Sequence, residues 1–207
     1  MEKLKIGIGG SAANPPQLGH RHLVEGLLNS NRFDEVFWIP SGVRPDKEGF
    51  VSPDHRVAMT LLTFPSEWLW QGKTKFNIKF NDVYEGNTPT IEVIENFQKE
   101  YPDAEITWFT GADSVVPQEK YGGKCEIQAV WIRGEELYSK YNFLILPRPG
   151  YPDPKIYNLP ENFEIYEVPQ LDITSTEIRR RIKNGESVEG LVTPEVDEYI
   201  RRNNLYK

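Results

Sequence analysis

One cysteine, Cys125, stands among 207 residues. A single thiol closes no disulfide within the chain and builds no cysteine metal cluster. A reducing, cytoplasmic setting is the expectation. Long apolar runs are missing too. None approaches the roughly 20 residues that a bilayer-spanning helix needs, and the opening MEKLKIGIGG has no apolar core of the secretory-signal kind. A basic excess is also absent: 24 Lys and Arg stand against 31 Asp and Glu, a formal charge of −7. Non-specific nucleic-acid binding needs a broad basic surface. Neither nucleic acid nor membrane is therefore expected as a partner. Acidic small ligands remain open wherever basic residues gather locally.

What is present is an ordinary globular composition, with apolar residues at 38% and charged residues at 27%. The length suits one well-cored domain. LKIGIG (4–9) reads as a buried strand bounded by glycine. LGHRHLVEGLLN (18–29) places leucines at helical spacing. EVFWIP (35–40) is a second strand, stopped by Pro40. SPDHRVAMTLLTF (52–64) opens with serine as cap and proline in the first turn, a helix start. KFNIKF (75–80) alternates as a strand does. TPTIEVIENFQKEYP (88–102) repeats the cap-then-proline signal at Thr88 and Pro89. EITWFTG (105–111), NFLILP (142–147) and FEIYEV (163–168) are three further strands. TSTEIRRRIKNG (174–185) and TPEVDEYIRRNN (193–204) are helices opened by threonine. EKYGGKCEIQ (119–128) reads as an insertion or flexible loop, and PRPGYPDPKIYNLPEN (147–162) as a surface connector.

Alternating strands and helices predict a doubly wound, mostly parallel α/β sheet, with a core over about 1–168 and a small helical part over about 169–207. In such sheets ligands bind beyond the carboxyl ends of strands, where the strand order reverses. Two loops qualify: GGSAANPPQLGH (9–20), after the first strand, and GADS (111–114), after the fourth. Gly9 and Gly10 permit close backbone approach, and the loop ends at a helix start, where free N–H groups favour an anion. It is neither the dinucleotide G-x-G-x-x-G pattern nor a Walker loop. A plain strand-to-helix connector is the alternative. In TSTEIRRR (174–181), Ser175, Thr176 and Arg179 combine hydroxyls, a helix start and a guanidinium, suited to a polyphosphate. A capped helix with a solvated basic face would look the same.

Read together, these segments resemble the nucleotidyltransferases with an (H/T)-x-G-H motif, and among them the bacterial nicotinate-nucleotide adenylyltransferase family. IGIGGSAANPPQLGHRHL is similar to the family's G-G-[ST]-F-D-P-P-H-x-G-H entrance. VFWIPSGVRPDK resembles its substrate loop, WFTGADS its I-I-G-A-D-S, LPRPGY its V-P-R-P-G-Y and DITSTEIRRRI its I-S-S-T-x-I-R. DHRVAM, YEGNTPTIEVI and LVTPEVDEYIRRNNLY resemble further segments in the same order. The resemblance implies a Rossmann-like fold and attack of a mononucleotide phosphate on the α-phosphorus of ATP, without a covalent enzyme intermediate. It gives His20 the α-phosphate and Lys47 a phosphate in the substrate loop. Ser175, Thr176 and Arg179 take the β- and γ-phosphates. Gly9, Gly10 and Ser11 line the ATP site, with Gly111 and Asp113 at the adenosine. Thr90, Trp131 and Arg148 face the mononucleotide. Mg²⁺ is expected on the triphosphate, with no metal site of the protein's own.

Three departures stand out. Gln17 takes the place of a histidine, Ala12 and Asn14 replace an aromatic residue and a carboxylate, and Asp46 replaces a histidine beside Lys47. Gln17 is expected to aim its amide N–H₂ at the phosphates as a neutral donor, with capping of the following helix as its alternative role. Trp131 is open between a stacking partner for a pyridine ring and a core aromatic. The implied partners are ATP and nicotinate mononucleotide. Nicotinamide mononucleotide, another phosphate acceptor, a nucleotide-binding member without turnover, and homo-oligomer formation are left open.

Overall fold

The computed structural model describes residues 2–43, 49–65, 70–71, 73–168 and 171–207. Lys47 and Asp46 lie outside them. The described strands are β1 (Lys5–Gly9), β2 (Glu35–Trp38), β3 (Trp70–Gln71), β4 (Thr74–Ile78), β5 (Glu105–Gly111), β6 (Asn142–Leu146) and β7 (Phe163–Ile165). They form one sheet in the order β3-β4-β2-β1-β5-β6-β7. Every pairing is parallel except the β3–β4 hairpin at one edge. The doubly wound expectation is met, and the strand order reverses between β1 and β5.

Parallel strands need both faces covered, so their sequences run apolar rather than alternating. Ile6, Ile8, Phe37, Ile106, Phe143 and Ile145 face one core, under α4 (Thr90–Glu100), α5 (Glu126–Ala129) and α6 (Gly134–Lys140). Val36, Trp38, Phe109, Leu144 and Leu146 face the other, under Val24, Leu27 and Leu28 of α1 (Leu18–Asn29). A third core joins Met59 of α2 (Pro53–Thr63) to Ile178 of α7 (Ser175–Lys183), to Val196 and Ile200 of α8 (Pro194–Arg202), and to Leu205. The C-terminal helices thereby pack on α2, close to where α1 begins: the Leu18 N–H donates to the Leu191 carbonyl at 2.9 Å.

Helix starts follow local chemistry in three cases. Ser52 caps α2, Thr174 caps α7 and Thr193 caps α8, each accepting a backbone N–H from the first turn. The expected Thr88 cap differs. Its hydroxyl donates to Asp82 at 2.8 Å, and α4 starts without a side-chain cap. The reason is the unforeseen short helix α3 (Asn81–Glu85), whose Asp82 carboxylate also accepts the Thr88 N–H. The 119–128 segment is not a loose loop either. Cys125 and Ile127 are buried in the first core, because α5 and α6 pack as a pair over the sheet edge.

Gly10 has a packing reason beyond ligand approach. The loop after β1 stays paired to the chain beyond β2: the Ile39 N–H donates to the Gly9 carbonyl at 2.8 Å and the Ser41 N–H to the Ser11 carbonyl at 2.9 Å. A Cβ at Gly10 would sit 1.8 Å from the Ile39 carbonyl oxygen. Backbone cannot yield there as a flexible side chain would. Gly10→Ala is expected to cost about 3 kcal/mol, or about 6–12 °C in melting temperature for a chain of this size. A thermal melt within about 2 °C of wild type would show that this strand extension is not fixed.

Candidate active site

The switch point places two loops side by side, since β1 and β5 pair directly. The 10–17 loop follows β1, and a short 3-10 turn, Ala112–Ser114, follows β5. A third wall is the start of α7. The Ser175 Oγ donates to the Pro15 carbonyl at 2.8 Å, and the Arg179 Nη1 donates to the Asn14 carbonyl at 2.8 Å. Arg179 Nη2 also reaches Thr176 Oγ1 at 3.4 Å. Residues that are about 160 positions apart in sequence thus meet at one loop. The structure brings together Gly9, Gly10, Ser11, Gln17, His20, Ser175, Thr176 and Arg179.

On the β5 side, Arg148 Nη1 donates to Asp113 Oδ2 at 3.0 Å, forming a half-buried ion pair. Gly111 allows this fold-back, because a Cβ there would meet Asp113 Oδ1 at 2.4 Å. Arg148 also bears on His20. Burial, and then the Arg148 charge, hold the imidazole down at a pKa of about 4. The ring rests against the buried indole of Trp38, with centroids 5.4 Å apart. Its Nδ1 accepts the backbone N–H of Gln17 at 3.2 Å. An accepting Nδ1 carries no proton, so the neutral ring holds its proton on Nε2. His20 is therefore a neutral, single-donor histidine whose orientation is fixed by the helix start.

Gln17 makes the helix cap that was its alternative role. It is 7% exposed. Its Oε1 caps α1 by accepting the N–H groups of Gly19 and His20. Its amide Nε2 donates to the Ile173 carbonyl at 3.2 Å. One N–H of the amide expected to face phosphates goes to a buried carbonyl of the chain that leads into α7. The reciprocal bonds of Gln17 and His20 form a capping box. Gln17 thus orients His20 and ties α1 to the 171–174 segment.

Trp131 sits between α5 and α6, on the sheet face opposite α1. It packs edge-on against Trp108 at 6.5 Å and donates its Nε1–H to Glu126 at 3.3 Å. Thr90 opens α4 on that same face. Neither is part of the cluster built on the 10–17 loop. Arg148 pairs with Asp113 and lies close enough to His20 for its charge to act there.

Arg56, missed in the sequence, and Asn14, singled out there as a departure, hold the loop. Arg56 is 0% exposed, and its Nη1 donates to the Ala12 carbonyl at 3.1 Å and the Ser41 carbonyl at 2.5 Å. Its Nε and Nη2 are buried without a hydrogen-bond partner among the described residues. Burial lowers its pKa from the usual arginine value. Arg56 falls on one helical stripe with Met59, Thr60 and Thr63, all buried. That spacing was the available signal. Asn14, 2% exposed, is the second; its amide bonds to the backbone of Gly49 and Val51. Between them, Ala13 adopts a left-handed φ of 49°, an uncommon state for a residue with a Cβ.

The doubly wound sheet is that of the nucleotidyltransferases, and the chain belongs to the cytidylyltransferase-like family, whose model matches residues 8–181. Its relatives match along the whole length. A probable nicotinate-nucleotide adenylyltransferase of Leifsonia xyli is 33% identical over 206 residues, covering 98% of this chain and 94% of the relative. Another, of Oceanobacillus iheyensis, is 30% identical, covering 98% and 96%. Among solved structures, the Plasmodium falciparum nicotinic acid mononucleotide adenylyltransferase complexed with NaAD gives a TM-score of 0.80 at 21% identity, covering 98% and 97%. At that identity the structural likeness speaks for the fold.

Gln17→Ala removes the cap and leaves the Ile173 carbonyl unpaired. It is expected to cost about 1–3 kcal/mol of stability, read by chemical unfolding, and an unchanged midpoint would contradict the capping geometry. His20 gives a pH signature. Its folded pKa lies below the ordinary value of 6.5, so the neutral form is the one the fold favours. Its contribution is full above about pH 6.5 and is lost as pH falls towards about 4. An NMR titration should place the His20 midpoint near 4; a midpoint near 6.5 would contradict the buried, accepting Nδ1.

Proposed function

We infer that the protein transfers the adenylyl group of ATP to nicotinate mononucleotide, giving deamido-NAD and pyrophosphate. The observation that carries this is the meeting of the 10–17 loop, His20 and the start of α7 at the sheet's switch point. The full-length match to nicotinate-nucleotide adenylyltransferases supports the choice of acceptor. The mononucleotide phosphate oxygen forms a bond to the α-phosphorus of ATP. The bond from that phosphorus to the bridging oxygen breaks, and pyrophosphate leaves with the electron pair. Such chemistry asks the protein for alignment and for donors where charge gathers.

In this scheme His20 offers its Nε2–H to the α-phosphate. A neutral imidazole with its proton fixed on one nitrogen donates without a proton transfer. Ser175, Thr176 and the free N–H groups of α7 receive the β- and γ-phosphates. Arg179 adds a charge-assisted bond. Gly9, Gly10 and Ser11 line the ATP path, with Gly111 and Asp113 at its adenosine end. Lys47, Thr90, Trp131 and Arg148 serve the mononucleotide. Gln17 acts by holding His20. Among the described residues no cluster of three or more His, Cys, Asp or Glu could hold a metal by itself. We assign Mg²⁺ to the triphosphate, where it would offset phosphate charge. No helix among the described residues is long and apolar enough to cross a membrane, and we place the enzyme in the cytoplasm, acting as one domain.

Pyrophosphate release tests the reaction. With ATP present, nicotinate mononucleotide is expected to give a higher kcat/KM than nicotinamide mononucleotide, by about tenfold or more. That difference, about 1.4 kcal/mol, is what one carboxylate-specific contact supplies. Arg179→Ala is expected to lower kcat/KM for ATP by about 10- to 150-fold, the loss of one charge-assisted bond. Binding of ATP with no pyrophosphate release from either mononucleotide would favour a nucleotide-binding protein without turnover.

A further inference from the structure

The next-to-last residue of the chain reaches the loop that holds the polyphosphate candidates. Leu205 is buried in the third core with Ile178, Val196 and Ile200. That anchor turns Tyr206 inward, in a left-handed φ of 64°. Its hydroxyl donates to Asn14 Oδ1 at 2.9 Å, across 192 positions of sequence. The tyrosine lies close enough to Arg179 and Arg56 for both charges to act on its hydroxyl.

Asn14 is over-determined. Its Oδ1 also accepts the Val51 N–H at 3.2 Å, and its Nδ2 donates to the Gly49 carbonyl at 2.9 Å. A backbone N–H only donates and a carbonyl only accepts. These two partners therefore fix which end of the amide is oxygen. The side chain pairs with the 49–51 backbone as a peptide group of a neighbouring strand would. The Tyr206 hydroxyl supplies the remaining donor to the same oxygen. The backbone carbonyl of the same residue accepts Arg179 Nη1. Movement of Asn14 would move that acceptor, and the guanidinium with it.

We propose that Tyr206, acting through Asn14, is a positioning residue for ATP: it sets the Asn14 carbonyl that aligns Arg179 with the triphosphate. The inference rests on the proposed adenylyl transfer, since that reading gives Arg179 its ligand. Tyr206 itself touches no substrate. Its effect passes through one hydrogen bond to the loop and one from the loop to Arg179. The route through Arg179 leads to ATP, whereas Thr90 and Trp131 lie on other elements.

The test uses the full chain with Tyr206→Phe, which keeps the ring and removes only the hydroxyl. ATP affinity, read by titration calorimetry, is expected to fall about three- to tenfold, the effect of losing one neutral hydrogen bond. The KM for nicotinate mononucleotide should stay within about twofold, a split that a general loosening would not give. In an Arg179→Ala background, Tyr206→Phe should change ATP affinity no further, because the route through Arg179 is gone. Unchanged ATP affinity in Tyr206→Phe, or an equal loss in both backgrounds, would overturn the proposal. A variant that folds poorly is read by the same background comparison, since instability would weaken ATP binding with or without Arg179. Wild-type protein that binds no ATP would instead overturn the adenylyl-transfer reading.

Discussion

The site depends on how an irregular loop is held at the carboxyl end of the central strand β1 without secondary structure of its own. The carbonyls of Ala12, Asn14 and Pro15 point into protein, and buried carbonyls must find donors. They find three side chains from distant segments: Arg56, Arg179 and Ser175. Each bond is worth about 0.5–3 kcal/mol net, and leaving its carbonyl buried and unpaired would cost a comparable amount. The loop is therefore rigid only when α2, α7 and the C-terminal segment are in place. The third core, which joins Met59 to Ile178 and Leu205, puts them there.

Charge follows the same plan. The chain is acidic, at −7, yet Arg56, Arg148 and Arg179 gather around the 10–17 loop. Arg148 is balanced by Asp113. Arg56 is buried and bonded only to carbonyls among the described residues. Desolvating a cation is costly, and burial is what lowers its pKa. Burial first, and then the Arg148 charge, keep His20 neutral. A second positive charge there is disfavoured, and the Gln17 N–H occupies its Nδ1. An anionic ligand is the species such a field favours.

Local chemistry was legible in the sequence wherever a partner lies within one turn. Ser52 with Pro53, Thr174, and Thr193 with Pro194 announce their helices and cap them. The apolar strand runs and their alternation with helices announce the switch point, and with it both loops. Long-range partners were not legible. Gln17 looked like a phosphate donor because the Ile173 carbonyl that takes its amide lies 156 positions away. Thr88 looked like a cap until Asp82, on a five-residue helix too short to show periodicity, captured its hydroxyl. Cys125 and Ile127 seemed part of a loop because α5 has only four residues. Arg56 stood on a readable buried stripe. A charged residue there is easily assigned to the solvated face, and only the two carbonyls it bonds explain its burial.

The central claim is that triphosphate lies between the 10–17 loop and the start of α7, with its α-phosphate at His20. The most direct measurement is a crystal structure of the protein with a non-hydrolysable ATP analogue and nicotinate mononucleotide. The account predicts the α-phosphate at about 3 Å from His20 Nε2, with the β- and γ-phosphates on the Ser175 and Thr176 N–H groups and Arg179. A triphosphate bound elsewhere, with no phosphate at Arg179 and the His20 Nε2 facing none, would contradict it.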